Sequence, residues 1–278
     1  MSINGETLVF AVLGSPIAHS LSPVLHNFWM AQHGLAGVYV ALEPHPDGFA
    51  SLAGWGLRGC NVTAPFKELA ARTAPHVTEE AQALAAVNTF YRDANGWTGD
   101  NTDAAGFVLG LDDALANWRR SVGLVLVLGA GGAARAIVHG LEQAVMPEIA
   151  IFNRSTENAE RAAALSEDAQ AVSWGRALEI AKEADLIINT LPPQADFPEM
   201  LHLAALAHGG AVFCDITYRP RRTAFLASRE AHALFPGVDG LHMLVGQGAL
   251  AFQHWFGVAP DRAAGRRRLL QALGEGVS

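Results

Sequence analysis

Three features of the sequence predict an α/β protein of two domains. Its 278 residues exceed the about 100 to 200 of an ordinary domain, and short apolar runs alternate with helical-period segments almost throughout. The most hydrophobic run, residues 122–128, restarts that alternation after a long helical stretch, so a second domain opens there. Such alternation is the pattern of strand-helix-strand units around a mostly parallel sheet.

In chain order the strands are expected at 9–13, 38–42, 61–63, 87–91, 123–128, 148–152, 186–189 and 211–215. Each is a short run of apolar residues bounded by turn-forming or charged ones. Helices are expected at 23–33, 103–118, 133–143, 156–165, 241–256 and 261–273, where apolar positions recur three and four residues apart. The boundary between domains falls within 103–121, and the closing helices after Gly240, which carry polar residues, are suited to return to the first domain.

Composition narrows the function. Half of the residues are hydrophobic, 17% are charged and the net charge is -8, which provides a core but no basic surface for nucleic acid or an anionic membrane. A small-molecule ligand is the expected partner. The two cysteines, Cys60 and Cys214, sit in no paired motif, and the eleven histidines form no ligand-spaced cluster, so neither disulfides nor a metal is expected. Without a basic leader or an apolar stretch of about 18 residues, the expected location is the cytoplasm.

The strand at 123–128 runs into Gly129-Ala130-Gly131-Gly132-Ala133-Ala134, a G-x-G-x-x-A arrangement opening a helix. Gly129 permits the tight turn, Gly131 lets backbone approach a pyrophosphate, and Ala134 allows close packing at the positive helix end. This is a Rossmann-type, doubly wound dinucleotide site. After the next strand, a site choosing NAD would offer an acid to the ribose hydroxyls; this chain has Asn153-Arg154-Ser155. Arg154 can pair with a 2'-phosphate and lay its guanidinium plane on adenine, so NADP is the expected cofactor, with NAD possible. Thr190, following the strand at 186–189, lies at the ligand-binding carboxyl edge of such a sheet.

The first domain carries a polar constellation. In Gly14-Ser15-Pro16-Ile17-Ala18-His19-Ser20-Leu21-Ser22-Pro23, Ser22 reads as a helix N-cap with proline at the first helical position. Ser20 is not needed for that cap, and two hydroxyls one residue apart at a strand-to-helix loop suit a carboxylate. Asn61-Val62-Thr63-Ala64-Pro65-Phe66-Lys67 is a strand end turned by proline, and Asn88 sits inside an apolar strand where a buried amide needs partners. Asn101-Thr102-Asp103 precedes the boundary helix and suits simple capping. Packing explains Met243 on the helix at 241–256 but not Gln247.

Together the Gly14 to Pro23 segment, Asn61 to Lys67, Asn101 to Asp103 with Gly106, the glycine loop, Asn153-Arg154-Ser155, Asp215 with Tyr218, and Gly240-Leu241-His242-Met243-Leu244 with Gln247 resemble the shikimate dehydrogenase family, in order and over nearly the whole chain. The resemblance implies a substrate-binding domain of residues 1–104 and 241–278, an NADP-binding domain of residues 105–240 and a cleft between them. It implies Lys67 and Asp103 as the catalytic pair, and Ser20, Ser22, Thr63, Asn88, Gln247 and Tyr218 as holding substrate. Gly129, Ala130, Gly131, Gly132, Ala133, Asn153, Arg154, Ser155 and Thr190 would hold NADP. The implied reaction is reversible reduction of 3-dehydroshikimate to shikimate, a step toward chorismate and the aromatic amino acids.

The chain departs from the family pattern where many members add a second basic residue after the Asn-Arg pair; here stand Glu157 and Asn158. Two other readings remain open: a quinate/shikimate dehydrogenase or NAD-using paralogue, and a non-catalytic NADP-binding regulator. The presence of both Lys67 and Asp103 counts against the regulator. A monomer and a homodimer are both compatible with the sequence, the dimer through apolar surface at Phe28 or Trp29 if they are exposed.

Overall fold

The computed structural model describes residues 3–45, 56–94, 96–145, 147–192, 195, 197–230 and 237–275. The chain divides into two compact units, Met1–Thr102 with Val245–Ser278, and Asp103–Leu244. Asp103 therefore belongs with the second unit rather than with the 1–104 segment.

The first unit is built on a six-stranded sheet from β1 (Leu8–Leu13), β2 (Gly37–Leu42), β3 (Gly59–Val62), β4 (His76–Val77), β5 (Thr89–Asp93) and β6 (Gly96–Asp100), in the order β2-β1-β3-β5-β6-β4. It is mostly parallel, as expected, with one reversed strand: β5 runs antiparallel to both β3 and β6, while the other pairings are parallel. The cause is local. Asp93 pairs with Gly96, and the sequence there reads Asn95-Gly96, a hairpin signal that the strand-helix reading passes over; Gly96 takes φ +107. Asn88 consequently lies just before β5 rather than within a strand.

Period-two alternation along β1 sends Ala11 and Leu13 into one core with Cys60, Val62, Phe66 and Phe90. Phe10 faces the other way, 5.1 Å from the Trp255 ring and 4.9 Å from Phe256. Those rings belong to α11 (Leu241–Phe256), which with Trp29 of α1 (Ser22–Gln32) supplies the aromatic packing of this face, and Gly265 of α12 (Arg262–Ala272) lies against the Trp29 ring. Indole nitrogens fix the closing helices: Trp29 Nε1 donates to the Asp261 carbonyl at 2.9 Å, and Trp255 Nε1 to the Phe90 carbonyl at 2.9 Å. Trp29 is fully buried, so it offers no dimer surface. Short helices α2 (Lys67–Thr73) and α3 (Glu79–Leu84), too brief to show a period in the sequence, complete the unit.

The second unit opens with α4 (Asp103–Ala114). The single helix expected over 103–118 is broken, because Asn117 takes a left-handed φ of +58 before α5 (Trp118–Ser121). Asp112 closes the break, accepting from Trp118 Nε1 at 2.8 Å and from two guanidinium nitrogens of Arg119. Five parallel strands follow, β7 (Leu124–Leu128), β8 (Glu148–Phe152), β9 (Ala169–Ala171), β10 (Leu186–Asn189) and β11 (Val212–Asp215), in the order β11-β10-β7-β8-β9. Between them run α6 (Gly132–Val145), α7 (Thr156–Ala163), α8 (Trp174–Ile180), a 3-10 turn at Pro198–His202 and α9 (Leu203–Leu206), with α10 (Ala224–Glu230) after β11. Strand order reverses between β7 and β10, the switch point at which open α/β sheets bind ligands. Both cysteines are free and buried, and among the described residues no helix is long and apolar enough to cross a membrane.

Candidate functional site

The polar residues singled out in the first unit gather at the carboxyl ends of β1 and β3. The loop after β1 meets the loop after β3 where the Ser15 amide donates to the Ala64 carbonyl at 3.1 Å and Gly14 packs against Thr63. Thr63 leads through Ala64-Pro65 to Lys67, the first residue of α2. The Lys67 carbonyl accepts from the Val87 amide at 3.0 Å, and the Asn88 carbonyl from the Val62 amide at 2.7 Å, so Thr63, Lys67 and Asn88 share one corner of the sheet. Gly248, the neighbour of Gln247 on α11, packs on Leu25 and His26 of α1.

The capping role expected of Ser22 is not found. Leu21 is already in helical geometry, which makes Ser22 the first helical residue, and the helix has no side-chain cap. It is Ser20 whose hydroxyl oxygen accepts from the Ser22 amide, at 3.3 Å. Ser22 keeps a buried hydroxyl with no capping duty.

Asn88 is held by Thr102, whose amide donates to Asn88 Oδ1 at 2.8 Å while Asn88 Nδ2 donates to Thr102 Oγ1 at 3.0 Å. Asp100 secures that segment, accepting from Thr78 Oγ1 at 2.5 Å and from the Asn101 amide at 2.8 Å and pairing with His254 of α11 at 2.9 Å. Burial raises the Asp100 pKa, but the hydrogen bonds from His254, Thr78 and Asn101 outweigh it and hold the carboxyl below its ordinary value.

In the second unit, β7 feeds the glycine loop. Gly129 has φ +104, and a side chain there would collide with Thr190 Oγ1, which donates to the Leu128 carbonyl at 2.8 Å. Gly131 and Gly132 face open space at the start of α6, leaving room for a pyrophosphate on the helix amides. Beyond β8, Asn153 Nδ2 donates to the Ser155 carbonyl, and Ser155 caps α7 by accepting from the Asn158 amide. Arg154 is exposed, and Arg161 donates to Asn158 Oδ1. This cradle fits a dinucleotide: bare glycine backbone at a helix N-terminus, and an arginine where an acid would favour an unphosphorylated ribose.

Asp103, nearly buried, opens α4, and Tyr218 stands in the loop after β11. That loop is tied by residues the sequence reading did not pick out for this work. Asp215 accepts from Asn189 Nδ2 at 3.0 Å, the Thr217 amide at 2.9 Å and Thr223 Oγ1 at 2.8 Å. Asp239 pairs with Arg221 at 2.9 Å and accepts from the Leu241 amide at 3.1 Å. Tyr39, Thr89 and Asp239 were equally unmarked; in the sequence they are single polar groups without a motif. Among the described residues no His, Cys, Asp and Glu side chains gather as a metal site.

Known proteins resemble this chain over nearly its whole length. The family described as "Shikimate dehydrogenase substrate binding domain" matches residues 12–90, "Shikimate / quinate 5-dehydrogenase" residues 116–222, and "Shikimate 5'-dehydrogenase C-terminal domain" residues 240–270. A shikimate dehydrogenase (NADP(+)) of Rhodospirillum rubrum is 41% identical over 274 residues, 93% of this chain and 95% of the relative. The shikimate 5-dehydrogenase of Thermus thermophilus, solved with NADP(H) and shikimate, is 36% identical with a TM-score of 0.80, covering 96% of this chain and 100% of the other. A quinate dehydrogenase of Corynebacterium glutamicum, solved with NAD, is 25% identical with a TM-score of 0.83, covering 95% and 99%. On sequence, fold and the order of its motifs, the chain belongs to the shikimate dehydrogenase family.

Proposed function

We propose that this enzyme catalyses the reversible, NADP-dependent reduction of 3-dehydroshikimate to shikimate on the route to chorismate and the aromatic amino acids. The observation that carries the reading is the convergence of Thr63, Lys67 and Asn88 on one sheet corner beside the Ser20-Ser22 loop, in a member of this family. A lysine opening a short helix at such a corner is more than a solvated surface amine.

NADPH, when bound, would supply hydride to the ketone carbon. Negative charge then grows on the ketone oxygen, and the Lys67 ammonium stabilises it and gives it a proton; in the reverse direction the same nitrogen takes the proton back. Asp103 orients Lys67 and accepts a substrate hydroxyl. Ser20 and Ser22 donate to the substrate carboxylate, and Thr63, Asn88, Gln247 and Tyr218 hold the hydroxyls. Gly129 to Ala133, Thr190, Asn153, Arg154 and Ser155 would hold NADP, the glycine loop offering backbone amides to its phosphates and Arg154 a cation to its 2'-phosphate.

A second reading, an enzyme that takes quinate or NAD, draws on the quinate dehydrogenase relative and on Glu157 and Asn158 standing where a second cation would favour NADP. Absorbance of the reduced nicotinamide, followed with shikimate and with quinate against NADP and NAD in turn, separates the two. The expected result is the highest kcat/KM for shikimate with NADP. Preference for NAD by about tenfold, or for quinate, overturns the reading.

A further inference from the structure

A buried line of hydrogen bonds crosses the first unit from β2 to Thr102. The Tyr39 hydroxyl donates to Asn61 Oδ1 at 2.6 Å, and Asn61 Nδ2 donates to Thr89 Oγ1 at 3.0 Å and to the Asn88 carbonyl at 3.3 Å. Thr89 Oγ1 donates to Asn88 Oδ1 at 2.8 Å, and Asn88 Nδ2 to Thr102 Oγ1 at 3.0 Å. Every member is at most 5% exposed.

Backbone groups fix the direction of this line. The Asn88 carbonyl can only accept, so the nitrogen of the Asn61 amide must face it and the oxygen must face Tyr39. Tyr39 therefore donates. At the far end the Thr102 amide can only donate, so it is Asn88 Oδ1 that it meets, at 2.8 Å. Thr89, receiving a proton from Asn61, must pass its own to that same oxygen. Burial pushes the Tyr39 phenol well above its ordinary pKa, with a smaller opposing pull from a hydrogen bond with the Ser22 side chain, and this keeps the donor at the head of the line protonated. Its ring is clamped as well, stacked on His26 with centroids 4.3 Å apart.

We propose that Tyr39 is a positioning residue for substrate binding: through Asn61 and Thr89 it reinforces the orientation of the Asn88 amide that Thr102 sets, the one that receives a shikimate hydroxyl. This inference rests on the role given to Asn88 under the proposed function. Removing the phenol hydroxyl leaves the Asn61 oxygen without that donor, so that its amide is held from the nitrogen side, and loosens the grip of Thr89 on Asn88.

The test uses Tyr39→Phe, which keeps the stacked ring, Thr89→Val, which keeps the shape, and the double variant. Thr98→Val is the control, since Thr98 is a buried threonine of the same sheet that donates to Asp93 at 2.9 Å, outside the line. The expected result is a KM for shikimate raised about 5- to 20-fold in each single variant with kcat changed less than about twofold, and an NADP dissociation constant unchanged. The double variant is expected to match the worse single variant, because a line broken once is not broken further. Unchanged KM in both single variants overturns the proposal, as does a KM effect in Thr98→Val of equal size or a double variant whose loss is the product of the two. If the parent enzyme itself fails to turn over shikimate with NADP, the proposed function falls and this inference with it.

Discussion

The imidazole of His26 lies parallel to the phenol of Tyr39, with centroids 4.3 Å apart and planes 11° apart, and the rings of Trp29, Phe252 and Trp255 surround it. Among the described residues neither ring nitrogen has a hydrogen-bond partner, and burial lowers the pKa to about 3. The unfolded chain takes up this proton near pH 6.5, whereas the folded chain does so only near 3. Between those values the unfolded state binds more protons, so stability falls as pH falls, by up to about 1.4 kcal/mol per unit. His26→Phe preserves the aromatic packing and removes the titration. Melting scans at pH 7 and pH 5 are expected to show a larger fall in Tm for the parent than for the variant; equal falls would assign the acid sensitivity to other groups.

Ser22 has no part in capping α1, which turns a choice between two roles into a measurement. Ser22→Ala should raise the KM for shikimate about tenfold while Tm falls only by the worth of the hydrogen bond with the Tyr39 hydroxyl, about 1 kcal/mol, because no helix cap is lost. Ser20→Ala should raise KM too, with some loss of Tm from the bond that its oxygen receives from the Ser22 amide. A Ser22→Ala variant that melts early with KM intact contradicts the assignment.

Cofactor choice turns on the end of β8. Arg154→Ala is expected to weaken NADP by about 10- to 100-fold and NAD hardly at all, as measured by calorimetric titration of each dinucleotide. Glu157 is exposed in the first turn of α7, and Glu157→Gln should tighten NADP severalfold by removing a like charge. Equal weakening of both dinucleotides by Arg154→Ala would show that the arginine holds adenine and not the phosphate.

The second unit was legible because its signals are local. β8 and β10 fall on the residues expected of them, and the turn from β7 into α6 is written in consecutive glycines. In the first unit the deciding interactions are distant in sequence. Asn61 was visible in its motif, but that its amide reaches Tyr39 and Thr89 depends on β3 lying between β1 and β5. The antiparallel hairpin of β5 and β6 was missed for another reason: β6, Gly-Trp-Thr-Gly-Asp, is too polar to stand out as a strand. Ser22 was misassigned by a single residue, since a helix that starts one position early makes a cap into a first-turn residue.

Lys67 decides whether the corner formed by Thr63, Lys67 and Asn88 is a site of chemistry. Its ammonium is proposed to donate the proton to the forming alkoxide and to stabilise its charge, two contributions that a neutral side chain cannot supply. Lys67→Ala should therefore lower kcat by about two to four orders of magnitude. NADP affinity should hardly change, because the glycine loop belongs to the other compact unit. Lys67→Met separates charge from packing: it keeps most of the apolar stem at this half-buried position and drops the ammonium, so it should lose as much turnover as the alanine variant while melting closer to the parent. Turnover near the parent's in both variants, with the fold intact and NADP bound, would make Lys67 a structural lysine and move the proton donor elsewhere.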